Sequence, residues 1–295
     1  MNDRPSPLDT RDLRRQARLE TLRIAGVFGG FALLLALLIV DRLRAQEEVE
    51  AVAVVPEVVK APAVGPLPDL RAVTDVKEKK SRFFDYLLPI VEHRNAWVRG
   101  ARSFLADARA QLAAGRPLDE AQKRRVASLG ARYRVTLDGD PDVAAIDELL
   151  VRADEIPPSL VLAQAASESA WGTSRFARAA NNLFGEWCFT AGCGVVPQRR
   201  PPGLTHEVEQ FASVPDSVDS YFRNLNTHAA YETIRSLRAK ARRAGREPLG
   251  AELAAGLGQY SERGQEYIDE IRAIIRINDL ETYDQPAADE VASMR

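Results

Sequence analysis

Net charge, histidine and cysteine are all scarce in this chain of 295 residues. Its 40 Lys and Arg nearly balance its 42 Asp and Glu, and the formal net charge of −2 argues against a nucleic-acid partner. The three histidines, His93, His206 and His228, form no zinc-ligand spacing with the two cysteines. We therefore predict no metal site and no other cofactor. The hydrophobic content of 45% suffices for one or two domains with their own cores.

A long hydrophobic run lies near the N-terminus. "IAGVFGGFALLLALLIV", from Ile24 to Val40, contains no charge, and its 17 residues span about 25 Å as a helix against a bilayer core of about 30 Å. Arginines dominate the segment before the run and glutamates come after it, which places the N-terminus in the cytoplasm. We predict a basic cytoplasmic tail over residues 1–23 and a transmembrane signal anchor over residues 24–42. A buried core helix and a cleaved signal peptide are the alternatives.

The remaining chain divides by composition. Four prolines among valines and alanines predict an extended stem over residues 43–74. Helical spacing then predicts a helical extension over residues 75–156, which is either a separate bundle or, as we prefer, packed on the main domain. Its last helix, "PDVAAIDELLVRAD", is predicted to have Asp140 as its N-cap. The main domain is predicted over residues 157–284, and the tail over residues 285–295 is predicted to be disordered.

The main domain is predicted to be helical around a small β-rich insertion. Leu160 to Trp171 is predicted to be a helix that is apolar nearly all round and therefore central, with Gly172 as the left-handed residue that stops it. Glycines and prolines interrupt residues 183–212, where "GVV" and "EVEQFA" predict short strands. Helices then resume, so the fold class is mainly α.

The two cysteines lie close together in "CFTAGC". Outside the cytoplasm, such a pair favours a disulfide between Cys188 and Cys193 that closes a small loop. Two unpaired thiols are the alternative.

One acid, Glu168, stands near the end of the apolar central helix. Its apolar surroundings, nearby Trp171 and the negative end of the helix all favour a raised pKa for this carboxyl. A carboxylic acid that keeps its proton near neutral pH can donate it to a glycosidic oxygen, as glycoside cleavage requires. The residues alone leave open a glutamate bonded to a neighbouring helix end or to an arginine.

The run "LVLAQAASESAWGTSRFARAANNLFGEW" resembles the signature of bacterial glucosaminidase domains of glycoside hydrolase family 73. That signature is an A-Q-A-x-x-E-S-x-W-G-x-S helix end followed by N-N-L-F-G. The runs "NNLFGEWCFTAGCG", "YFRNLNTHAAY" and "KEKKSRFFDYLLPIVEHRN" are most similar to the Bax-type branch, membrane-anchored proteins of Gram-negative bacteria. The resemblance covers roughly Lys77 to Leu280. It implies a lysozyme-like α-lobe with a small β-rich lobe, held in the periplasm at the inner membrane, that cleaves peptidoglycan glycan strands at N-acetylglucosamine.

The resemblance also implies roles for particular residues. Glu168 becomes the catalytic acid, and "QYSERGQEYIDEI" resembles the family's Y-A-T-D-P-x-Y segment. That segment maps a catalytic, substrate-side tyrosine onto Tyr260 and a packing tyrosine onto Tyr267, although Glu-Arg-Gly replaces the usual Thr-Asp-Pro. The residues expected to bind substrate at the helix end and on the cleft floor are Ser169, Trp171, Asn182, Phe184 and Gly185.

The second catalytic carboxylate is harder to assign. Glu186, Glu207 and Glu209 are the candidates within the β-rich insertion, each with a solvated surface acid as its alternative. The two on the predicted strand, Glu207 and Glu209, should point to the same face. Assistance by the N-acetyl group of the sugar would need no second carboxylate.

Three other functions compete with the glucosaminidase. A lytic transglycosylase uses the same kind of helix-end Glu-Ser and needs one acid. A peptidoglycan-binding scaffold could have lost catalysis, and a peptidoglycan amidase would need the zinc site that the histidines do not form. The glycan strand and the inner membrane are the predicted partners, and the sequence leaves protein partners open.

Overall fold

The computed structural model describes residues 64–198, residue 200 and residues 203–284. The predicted cytoplasmic tail, membrane anchor and C-terminal tail, with most of the stem, lie outside these residues. Within the described ranges, no helix is both long enough and apolar enough to cross a membrane. The membrane anchor therefore stays a prediction.

Helices make up most of the described chain, which confirms the mainly helical fold class. They are α1 (Val76–Ala113), α2 (Glu120–Tyr133), α3 (Val143–Arg152), α4 (Pro158–Glu168), α5 (Arg175–Ala180), α6 (Val214–Thr227), α7 (Glu232–Arg243), α8 (Gly250–Leu253) and α9 (Gln265–Ile277). Short 3-10 turns occupy Ala229–Tyr231, Ala254–Gly256 and Leu280–Asp284.

Side-chain caps fix where several helices begin. The carboxylate of Asp75 accepts a hydrogen bond from the Glu78 amide at the start of α1. At α3 the cap is Asp142, which accepts from the Ala145 amide, so the prediction of Asp140 was wrong. The Asp140 carboxylate pairs instead with Lys123, 2.7 Å away.

The core surrounds α4, whose residues from Ser159 to Ala166 are all buried. A helix that is apolar on every side must be covered on every side, and α1, α8 and α9 all pack on it. Phe83 of α1, Leu160 of α4 and Ile271 of α9 belong to one continuous cluster of buried side chains. The helical extension thus shares its core with the main domain.

A small antiparallel sheet comes after α5. Its strands β1 (Trp187–Cys188), β2 (Gly194–Val195) and β3 (Glu207–Glu209) lie in the order β1-β3-β2. Trp187 lies opposite Val208, and Gly194 lies opposite Glu209. A side chain at Gly194 would place its Cβ 2.0 Å from the Val208 carbonyl oxygen, so only glycine fits there. The strands predicted in "GVV" and "EVEQFA" are confirmed.

Candidate active site

Glu168 is the last residue of α4, and the chain turns sharply directly after it. Ala170, Trp171 and Gly172 all adopt positive φ, at 50°, 59° and 73°. The helix therefore ends three residues before the predicted Trp171, through three left-handed residues of which only the last is glycine. Such a conformation costs non-glycine residues about 1–2 kcal/mol each, so the surroundings must hold it. The buried Ser169 hydroxyl helps, since it donates to the Ala165 carbonyl and accepts from the Gly172 amide.

The helical extension packs against this turn from outside the main domain. The Trp171 ring meets the rings of Phe83 and Phe84 of α1 edge-on, with centroids 6.1 and 5.4 Å away. The Lys80 ammonium lies 4.7 Å from the centre of the Trp171 ring. The structure thus places Trp171, a predicted substrate-binding residue, against α1.

Three linked hydrogen bonds between polar side chains fix the Glu168 carboxyl. The Tyr267 hydroxyl donates to Glu168 Oε1 at 2.7 Å, and Gln164 Nε2 donates to that hydroxyl at 3.0 Å. The Tyr221 hydroxyl in turn donates to Gln164 Oε1 at 2.6 Å. Gln164 and Glu168 are one helical turn apart on α4, so both face α9 and α6. This network fixes the direction of the acid.

The two oxygens of Glu168 have different surroundings. Oε1 is bound by Tyr267, whereas Oε2 lies toward the exposed Gly185, where an added Cβ would be 3.7 Å away. Burial raises the pKa of the Glu168 carboxyl, and the Tyr267 hydrogen bond opposes that rise only in part. Glu168 therefore keeps its proton to a higher pH than an ordinary glutamate, and its Oε2 lies toward the exposed Gly185.

The N-N-L-F-G segment is organised from within by Asn182. Its Nδ2 donates to the carbonyls of Glu186 and Glu209, and its Oδ1 accepts from the amides of Phe184 and Glu186. The buried Phe184 ring stacks on Tyr221 with centroids 4.1 Å apart. Asn182 and Phe184 thus support the segment from inside, and Gly185 is its exposed member.

Glu186 is partly buried beside the same cluster, with its Oε2 shielded from solvent. Ser220 of α6 donates to its Oε1 at 3.3 Å, and its Oε2 has no hydrogen-bond partner among the described residues. Burial and then the charge of Glu209 raise the pKa of the Glu186 carboxyl to about 8. In this arrangement Glu186 is neutral at pH 7 and is a poor base.

Glu207 lies at the loop that the disulfide closes. Its two carboxylate oxygens accept from the amides of Gly192 and Gly194, and these bonds lower the pKa of Glu207. Cys188 and Cys193 form a disulfide, as predicted. The sulfurs and the Glu207 carboxylate lie within 4.8 Å of one another, but disulfide sulfurs are not thiolate ligands for a metal. The Glu207 carboxylate therefore binds the backbone of the loop that the disulfide closes.

Comparison with known proteins identifies the family of this chain. The glucosaminidase family, described as mannosyl-glycoprotein endo-beta-N-acetylglucosaminidase, matches residues 145–280. The protein named bax of Escherichia coli strain K12 is 34% identical over 212 residues, which cover 72% of this chain and 74% of that protein. The chain belongs to the Bax-type glucosaminidase-domain proteins. No solved structure matches this chain, so the lysozyme-like fold stays a prediction.

The two tyrosines of the predicted motif make different contacts in this glucosaminidase domain. Tyr267, the predicted packing residue, contacts Glu168, whereas the hydroxyl of Tyr260 donates to the Phe184 carbonyl at 2.9 Å. The two rings stack in parallel with centroids 5.6 Å apart. Tyr260 therefore lies one ring away from the acid.

Sequence reasoning missed three further members of the site: Gln164, Tyr221 and Tyr231. Gln164 carried a usable signal, because a glutamine inside an otherwise apolar helix needs a buried partner. Tyr231 lies beside Tyr260, with ring centroids 5.9 Å apart, and burial followed by the charges of Glu186 and Glu168 raises its pKa to about 12. Tyr221 and Tyr231 lie on apolar faces of the sequence. There a tyrosine gives the same hydrophobic periodicity as a phenylalanine, so the pattern does not reveal a hydroxyl with a polar role.

Proposed function

We propose that this protein is a membrane-anchored endo-β-N-acetylglucosaminidase that cleaves peptidoglycan glycan strands, with Glu168 as its general acid. The observation that supports this most directly is the asymmetric setting of the Glu168 carboxyl. One oxygen is fixed by Tyr267, the other lies toward the exposed Gly185, and burial raises the pKa of the group. This is the arrangement needed to hold a proton and deliver it in one direction.

In the proposed reaction, the glycosidic oxygen approaches above Gly185. Glu168 donates its proton from Oε2 as the bond to the departing sugar breaks, so the leaving oxygen departs as a hydroxyl. The fixed Oε1 keeps the carboxyl from rotating away, and the resulting carboxylate keeps its hydrogen bond from Tyr267. A positively charged sugar remains and must be trapped from its other face.

The trapping group is proposed to belong to the substrate. The neutral Glu186 is a poor nucleophile, and Glu207 is held by two loop amides. Attack by the N-acetyl oxygen of the sugar, followed by water, requires a single enzyme acid. The same observation supports a second candidate, a lytic transglycosylase, in which a substrate hydroxyl closes an anhydro ring.

The membrane location and orientation of the protein are proposed from its N-terminal sequence. Arginines before the Ile24–Val40 run and glutamates after it favour a single-pass anchor in the inner membrane with the domain in the periplasm. Cell fractionation and a protease-protection assay on spheroplasts test this setting. Digestion of the domain only after the outer membrane is opened is the expected result.

The decisive experiment is product analysis with the purified full chain in detergent. Glu168→Gln removes the proton donor at nearly constant shape, and Glu262→Gln, on the exposed loop before α9, is the matched control. After incubation with purified sacculi, mass spectrometry reads the new sugar ends. Reducing N-acetylglucosamine ends that vanish in Glu168→Gln and persist in Glu262→Gln are expected.

Two other results would change the assignment. Anhydro-muramyl ends would replace the glucosaminidase with the lytic transglycosylase. Sacculus binding without cleavage by either wild type or variants would leave a peptidoglycan-binding scaffold.

A further inference from the structure

Trp187, the first residue of β1, presents one open aromatic face to solvent. The residue is 57% exposed, and its ring is stacked on His206 with centroids 4.2 Å apart and planes 16° from parallel. His206 is itself only 8% exposed. The buried His206 ring behind the exposed indole fixes the orientation of the indole. Among the described rings, none stacks on the solvent-facing side of the Trp187 indole.

The position of Trp187 follows from the strand geometry. The chain pairs with β3 from the Glu186 carbonyl onward, and the Glu186 side chain points to Ser220 in the helical body. Neighbouring strand residues alternate in direction, so Trp187 points away from that body. Gly185, two residues earlier, lies beside Glu168 Oε2. Because two residues of chain span at most about 7 Å, the Trp187 backbone lies within about 7 Å of Gly185, close enough for its side chain to serve a sugar next to the proposed cleavage point.

The chemistry of this surface suits a sugar ring. A pyranose carries its hydroxyls at the rim and C–H bonds on its faces, and an aromatic face packs against those C–H bonds while the rim stays hydrated. Trp offers the largest such face of any side chain, and a pre-oriented ring loses little freedom on binding. Phe189 is also exposed, at 72%, but no described ring stacks behind it.

We propose that Trp187, backed by His206, is a sugar-stacking site that binds a pyranose of the glycan strand adjacent to the bond at Glu168. The proposal rests on the proposed function for the identity of the strand. It adds a binding residue on the β-lobe to the acid on the helical lobe, so that the two lobes contact neighbouring sugars.

The test measures binding and turnover separately. Soluble N-acetylglucosamine oligomers of increasing length are titrated by calorimetry into full-length Glu168→Gln, which binds without cleaving, and into the same chain carrying Trp187→Ala, Trp187→Phe or Phe189→Ala. Trp187→Ala should weaken binding of long oligomers roughly three- to tenfold and leave short ones unchanged. Trp187→Phe keeps a stacking face and should restore most of the affinity, and Phe189→Ala should have no effect.

His206→Ala gives an independent readout of the backing ring. It should weaken binding less than Trp187→Ala, and it should have no further effect in the chain that already carries Trp187→Ala. On sacculi, Trp187→Ala with the acid intact should raise KM and leave kcat within about twofold.

The outcomes separate this proposal from the proposed function. Equal affinities of Trp187→Ala and its parent for all oligomers, with wild-type cleavage intact, would overturn the stacking site alone. Equal losses in Trp187→Ala and Phe189→Ala would also overturn it, since they indicate a non-specific apolar surface such as a protein-docking patch. Trp187-dependent binding in a wild-type chain that cleaves no sacculi would support the site and remove the proposed enzyme activity.

Discussion

At the scale of single residues, the site depends on what each oxygen of Glu168 contacts. The family motif singled out Glu168 as the candidate acid, although the residues alone left open a glutamate with a purely structural role. It could not identify the residue that holds the acid. Tyr260 and Tyr267 both fit a tyrosine-rich motif, and only the direction in which α9 enters the core decides which hydroxyl reaches Glu168.

Tyr267→Phe removes the hydroxyl that binds Glu168 Oε1 and keeps the ring. That hydrogen bond lowers the pKa of Glu168, so its loss should raise the pKa and move the alkaline limb of the activity profile to higher pH. A less acidic and less fixed donor should also lower kcat about tenfold. Tyr260→Phe is the matched control, because its hydroxyl binds the Phe184 carbonyl. The measurement is kcat against pH, and an unshifted limb in Tyr267→Phe would contradict the proposed role.

Gly185→Ala tests whether the space next to Glu168 Oε2 must stay open for the substrate. Its Cβ would lie 3.7 Å from Glu168 Oε2, in the space proposed for the glycosidic oxygen, so kcat/KM should fall at least about tenfold. Gly115→Ala at the end of α1 is the control, since its φ of 70° nearly equals the 69° of Gly185 and no described atom lies within 4 Å of its Cβ. Both should lose about 1 kcal/mol of unfolding free energy, and only Gly185→Ala should lose activity. Similar activity losses in the two variants would show that backbone strain alone is responsible.

At the scale of elements, the helices and strands were predictable where local pattern decides them. The long amphipathic α1, the buried α4 and the strands around the cysteines follow from periodicity and turn residues. The end of α4 did not, because Ala170 and Trp171 are ordinary helix residues that tertiary packing forces into left-handed conformations. The rings of α1 that supply this packing lie far away in sequence. A segment starting at residue 145, where the family match begins, therefore omits part of what shapes the site.

Gly172→Ala tests how closely α1 packs against the turn that follows Glu168. Its φ of 73° is close to that of Gly115, but its Cβ would lie 3.2 Å from Phe83 Cδ2 and 3.5 Å from Leu67 Cδ2. The variant should therefore lose about 1–3 kcal/mol more than Gly115→Ala, because overpacking adds to the backbone strain. Chemical denaturation of both variants gives the comparison. Equal losses would mean that α1 adjusts freely and does not constrain the turn.

At the scale of the whole molecule, charges that no motif marks connect the extension to the main domain. The buried Asp154 lies within 3.4 Å of Arg102 of α1 and of Arg238 and Arg242 of α7. The sequence shows Asp154 only as a residue between two helices, and arginines on α7 are typical of a solvated face. Burial of such a cluster depends on how helices assemble, which local pattern cannot encode. Composition and motif thus predicted the mainly helical fold and Glu168 as the candidate acid. The packing of the helical extension depends on contacts between distant helices, which neither composition nor motif encodes.

The stability of the whole molecule should depend on pH through Glu186. Its ordinary pKa is 4.5 and its folded pKa is about 8, so between these values the unfolded chain ionises while the folded chain stays neutral. Stability from this group is complete below pH 4.5 and is lost as pH rises toward 8. Glu186→Gln stays neutral throughout, so its advantage over wild type should grow across this window to at most about 4 kcal/mol.

Glu207→Gln should show the opposite pattern in the same lobe. Loop amides lower the pKa of Glu207, so its carboxylate stabilises the fold above its ordinary pKa of 4.5, and that stabilisation is lost on acidification. The variant should be less stable than wild type at pH 7 and approach it in acid. Urea unfolding of the three proteins at about pH 4, 6 and 8 tests both signs. A pH-independent difference between Glu186→Gln and wild type would mean that Glu186 is ionised when folded, and Glu186 would then become the leading candidate for the second catalytic carboxylate.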